Sequence, residues 1–121
     1  MFDWFKGQKS ETLQVHRIDF LGEQNGPPER EFKTSILKLL EESGLDAAFL
    51  ARVLYSDGQV ATALCLEGSS PRQKEIVGEI GAKFSAQFNR ETSLDMIFLT
   101  REQSRNIRSV CRPFFQRAVP G

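Results

Sequence analysis

Asp57-Gly58 is flanked by two long apolar runs, LDAAFLARVLYS before it and QVATALCLEG after it, and this arrangement constrains the fold more than any other stretch. An Asp-Gly pair between β-rich runs marks a tight hairpin, because both residues tolerate the positive φ of a type I′ turn. The strands on either side are apolar on both faces: Phe49, Ala51, Val53 and Tyr55 alternate with Ala48, Leu50 and Leu54. Such strands belong at the centre of a sheet covered twice, or covered once and paired with a second molecule.

The flanking segments supply the covers. TLQVHRIDF (12–20) reads as a strand, and LGEQNGPP after it as a loop whose prolines open a helix. In EREFKTSILKLLEESG, Phe32, Ile36, Leu39 and Leu40 recur at helical spacing and Gly44 stands where a C-cap is wanted. A second helix begins at Ser70-Pro71-Arg72-Gln73, with Ser70 as its expected cap, and carries Ile76, Val77, Ile80, Phe84 and Phe88 on one stripe. Gly78 and Gly81 weaken that helix and are expected to permit a close helix–sheet approach. SLDMIFLT (93–100) is a fourth strand, and Thr100 and Gln103 have capping-box spacing before a last helix. The order β-α-β-β-α-β-α predicts an α+β fold, a ferredoxin-like βαββαβ sandwich with an additional C-terminal helix. The expected organisation is an aromatic and basic N-terminal segment over 1–11 and a single domain over 12–121, as suits 121 residues.

Composition narrows the chemistry. A fraction of 40% hydrophobic and 26% charged residues is that of an ordinary globular protein. MFDWFKGQKS lacks the apolar core of a secretory signal, and no run is long enough to span a bilayer. Phe2, Trp4 and Phe5 offer too little area for stable membrane anchoring. Cys65 and Cys111 lack ligand spacing and read as buried thiols, which suits a cytoplasmic location. His16 is the only histidine, and no Cys, Asp or Glu sits at ligand spacing around it, so it reads as a structural or surface histidine. Glu41-Glu42 are adjacent and diverge on a helix, and Gly22 and Gly26 do not form a phosphate loop. A non-enzymatic protein without cofactors is the expectation.

Charge gives the best local signal. The formal net charge is zero, yet residues 1–100 hold 11 Lys and Arg against 15 Asp and Glu, while residues 101–121 hold five Arg against Glu102 alone. At about 100° per residue, Arg101, Arg105, Arg108 and Arg112 fall in one sector of the last helix, with Ile107, Val110, Cys111 and Phe114 opposite. A guanidinium row suits carboxylates or phosphates; the plainer alternative is a solvated face with some internal pairing. Pro113 should end the helix near Cys111, leaving Phe114-Phe115 to fold back onto the body. Nucleic acid is the lesser partner class, because the hairpin lacks the aromatic pattern of RNA-recognition strands and the net charge gives no broad basic footprint.

Several short motifs together resemble the C-terminal domain of the enhanced-serine-sensitivity protein SseB family. They are Gly22-Glu23 and Pro27-Pro28 before a helix, Ala47-Ala48-Phe49-Leu50 in a strand, the hairpin, and the closing Pro113-Phe114-Phe115. The resemblance covers residues 20–118 and implies a bacterial cytoplasmic protein without assigned catalytic residues. Family members often carry a separate N-terminal domain, so this chain reads as a stand-alone version, and Phe115 replaces a frequent tyrosine. The leading expectation is a protein-interaction module, a homodimer that engages a protein partner through its arginine row. The runner-up is a small-ligand regulatory domain like the amino-acid-sensing ACT domains, with Gly22, Glu23, Asn25 and Gly26 as the ligand loop.

Overall fold

The computed structural model describes residues 18–88 and 94–117. His16, the N-terminal segment 1–11 and the first part of the expected strand 12–20 lie outside them. The elements are β1 (Ile18–Glu23), α1 (Pro27–Ser43), β2 (Ala47–Tyr55), β3 (Val60–Glu67), α2 (Gln73–Gln87), β4 (Asp95–Phe98), α3 (Arg101–Arg108) and β5 (Phe115–Gln116).

The hairpin forms the centre of the sheet. β2 and β3 pair antiparallel from Ala47↔Glu67 to Leu54↔Val60. The turn is not type I′: Gly58 alone has positive φ, at 89°, and no other kind of residue among those described does. Gly58 N–H donates to Tyr55 O and Tyr55 N–H to Gln59 O, which makes Ser56-Asp57-Gly58 a three-residue loop with its glycine in the left-handed position. Asp57 contributes by accepting a hydrogen bond from Gln59 N–H at its Oδ1.

An α+β architecture is present, but the strand order is β1-β2-β3-β4, with β5 also on β2. This corrects the ferredoxin-like expectation, in which the first strand lies inside the sheet. Both edges of β3 are occupied, by β2 on one side and by parallel β4 on the other. β1 takes the free edge of β2, where it pairs antiparallel from Ile18↔Tyr55 to Glu23↔Ala51. β5 takes the rest of that edge, opposite Ala47 and Ala48. Between them β1 and β5 cover the backbone of a strand that would otherwise expose unpaired donors and acceptors.

Period-2 alternation divides the sheet into two faces. On one, Ala48, Leu50, Leu64 and Leu66 meet Phe32, Ile36 and Leu40 of α1 and Ile76, Ile80 and Phe84 of α2. Both helices place these residues at i, i+4 and i+8. Leu39 and Phe88 are only partly buried there. Phe32 meets Phe84 edge-on, with ring centroids 5.3 Å apart. Gly44 ends α1 at φ 89°, as expected. The start of α2 differs: Arg72 is its N-cap, and Ser70 instead accepts a hydrogen bond from Arg72 N–H. Proline at position 71 therefore belongs to the turn before the helix. Nor do its glycines mediate a close approach: a Cβ at Gly78 would meet nothing within 4 Å, and one at Gly81 would meet Met96 Cε at an ordinary 4.0 Å.

The other face is built from small residues, Ala47, Ala51, Ala63 and Cys65, around Phe49 and Val53. Ile107 of α3 and Cys111 close over it. The double cover that the apolar strands demanded is thus supplied, within the chain, by two helices on one side and α3 on the other.

Candidate functional site

The arginine-bearing segment begins at a well-made helix start. Thr100 Oγ1 accepts from Gln103 N–H and Gln103 Oε1 accepts from Thr100 N–H, the expected capping box. The helix then runs only to Arg108. Ser109 N–H bonds back to Asn106 O, and Val110 and Cys111 N–H to Ile107 O, so the last turn tightens and the chain leaves the helix before Pro113. Arg112 therefore lies beyond the helix, and Val110, expected on the docked side, is 42% exposed.

The four arginines divide by role. Arg108 reaches Glu67 Oε1 at 2.7 Å and Gln116 Oε1 at 3.5 Å, and its Cζ lies 5.1 Å from the centroid of the Phe49 ring. It is a brace joining α3, the end of β3 and β5. Arg101 and Arg105 lie one turn apart and are exposed, as is Arg112. Among the described residues no carboxylate forms an ion pair with these three. Arg117, which the charge reading did not single out, is a second brace: its Nη2 donates to Leu45 O at 2.8 Å and its Nε lies 3.5 Å from Asp46 Oδ1.

The tail docks as expected. Phe114 N–H donates to Ala48 O and Phe115 pairs with Ala48, and both rings pack against the helix-covered core. Cys111 belongs to the opposite core, so residues 111–115 cross from one face of the sheet to the other around the edge of β2.

The residues expected to form a ligand loop lie at the end of β1 and the start of α1. Gly22 follows an irregularity in the β1 ladder between Phe20 and Gly22. Gly26 caps α1, and Arg30 N–H donates to its carbonyl. Asn25 Oδ1 accepts from Lys33 Nζ at 3.1 Å, while Glu23 Oε2 stands 4.0 Å from the same ammonium. Lys33, which sequence reasoning passed over, is 8% exposed and lies 5.6 Å from the centroid of Phe114. It joins the loop to the tail. Its signal was position alone, three residues before Ile36 and seven before Leu40 on the buried stripe. Cys111 Sγ lies 3.7 Å from Leu50 O; burial, with Glu23 adding to it against the opposing charge of Lys33, pushes the thiol up to about 11. Burial likewise raises the Cys65 thiol. Both are thus held as neutral thiols at pH 7, poor nucleophiles in either case.

Tyr55 Oη donates to Asp95 Oδ2 at 2.6 Å, locking the hairpin to β4; burial first, and then this bond, raise the tyrosine hydroxyl. A pocket of about 290 Å³ opens at the hairpin end of the helix-covered face, lined by Phe32, Phe84, Phe88, Leu50 and Val60, with Glu29 among its polar groups. Among the described residues no group of three His, Cys, Asp or Glu is placed to hold a metal ion, and no helix is long and apolar enough to cross a membrane.

Comparison with known proteins agrees with the motif pattern: the family described as SseB protein C-terminal domain matches residues 21–117. No curated protein and no solved structure matches the chain.

Proposed function

The chain belongs to the SseB protein C-terminal domain family, and we propose that it is a non-enzymatic interaction module that recognises an acidic protein surface through Arg101, Arg105 and Arg112. One observation carries this reading. Of the five exposed arginines at the C-terminal end, Arg108 and Arg117 brace the fold through ion pairs, whereas the other three form none among the described residues. Folding alone does not ask for Arg101. A cation in the first turn of a helix opposes the positive end of the helix dipole, at a cost of about 0.3–1 kcal/mol. Planar guanidinium groups on a short, capped helix offer paired donors to carboxylates of a partner.

Self-association is part of the proposal, since the outer edges of β1 and β4 take no strand partner among the described residues. Sedimentation of the purified protein tests that part: a dimer supports it, and a monomer at high concentration removes it. The amino-acid-sensing alternative loses its fold argument with the β1-β2-β3-β4 order, and its loop residues are engaged with Lys33 and α1.

Calorimetric titration with a polyglutamate peptide at low and high salt tests the arginine reading. Binding that weakens with salt and disappears in Arg101→Ala/Arg105→Ala/Arg112→Ala is the expected result. Equal binding by the triple variant overturns it.

A further inference from the structure

The pocket on the helix-covered face lies away from the arginine segment and plays no part in the reading above. Its apolar lining is built on three mutually packed rings: Phe84 stacks on Phe88 at 4.5 Å, and Phe32 meets both edge-on, at 5.3 and 6.3 Å. Leu50, Leu94 and the β3 residues Val60, Ala61 and Thr62 complete the wall. Val60 is 46% exposed, an unusual state for a strand residue beside an aromatic cluster. About 290 Å³ is at the small end of ligand pockets, of a size for one or two aromatic side chains.

We infer that this pocket receives the chain's own N-terminal aromatic segment, Phe2-Asp3-Trp4-Phe5. Three features of the molecule support that occupant. First, the first described residue, Ile18, pairs with Tyr55, at the same end of the hairpin as Val60, whose partner is Leu54. Second, the reach is ample: the 13 residues from Phe5 to Ile18 span up to roughly 43 Å when extended, against two inter-strand spacings of about 4.8 Å from β1 to β3. Third, the chemistry matches. Three aromatic side chains within four residues meet an aromatic-lined hollow, and Lys6, next to Phe5, is complementary to the Glu29 carboxylate. Tethering makes the encounter intramolecular, so even a modest contact is well populated.

Trp4 is the only tryptophan, so its fluorescence reports the segment without labelling. The full chain is compared with Val60→Arg and with Thr62→Arg, each on the pocket wall, and circular dichroism verifies that each remains folded. The expected result is blue-shifted Trp4 emission, protected from acrylamide, that moves most of the way to the unfolded-state emission in both variants and does not depend on protein concentration. Three results overturn the inference: native emission already equal to that of unfolded protein, shielded emission that neither folded variant alters, or shielding that appears only as concentration rises. The last assigns the pocket to the segment of a second copy.

Discussion

The two faces of the sheet are covered in different ways. The α1/α2 face is filled by large side chains from two long helices, Phe32, Ile36, Leu40, Ile76, Ile80 and Phe84. The α3 face is lined by Ala47, Ala51, Ala63 and Cys65, and a helix of eight residues places one buried side chain, Ile107, over it. The first face thus carries most of the folding energy. The second carries exposed charged groups, Arg101 and Arg105 on α3.

Substitutions at the two covers separate these roles. Phe32→Ala, in the middle of the aromatic cluster, is expected to cost about 3–5 kcal/mol and lower the global unfolding midpoint in urea. Ile107→Ala is expected to cost less, near the low end of about 2–5 kcal/mol, and to raise amide exchange in α3 before the strands. If exchange rises uniformly, the two covers act as one unit and the comparison fails.

Arg108→Ala sharpens the division within the arginines. It removes a partly exposed ion pair and a contact with the Phe49 ring, together about 1 kcal/mol, seen as a lower melting temperature. Gly78→Ala works in the other direction. With open space at its Cβ position on an exposed stretch of α2, alanine should stabilise by about 0.8–1 kcal/mol. A further effect appears only at alkaline pH. Cys111 prefers to stay protonated in the folded state, with its thiol raised from 9.0 to about 11. Its contribution is therefore complete below pH 9 and is lost as pH rises through 11. Melting temperatures of the wild type and Cys111→Ala should converge across that interval, and parallel curves would show that the thiol is not held neutral by the fold.

Local signals in the sequence carried much of this architecture. The hairpin at Gly58, the Gly44 cap and the Thr100–Gln103 capping box each depend on residues a few positions apart, and each is present. The family resemblance rested on the same short stretches. Strand order was not legible, because the same string of elements serves a ferredoxin-like sheet and the observed one; the difference is which edge of the hairpin β1 meets. Arg108 could not be told from its neighbours, since its partner Glu67 is 41 residues away. Lys33 was hidden for a related reason: a lysine on a helix reads as solvated until a distant ring, here Phe114, covers it. Sequence thus located the arginines, and tertiary contacts divided them.

The division of the arginines into braces and free donors is open to one paired measurement. Arg101→Ala/Arg105→Ala/Arg112→Ala and Arg108→Ala are compared for melting temperature and for polyglutamate binding on the same preparations. The triple variant is expected to melt at or slightly above the wild-type temperature and to lose binding, while Arg108→Ala melts lower and, below its transition, still binds. A triple variant that melts well below wild type, or that binds as the wild type does, would contradict it.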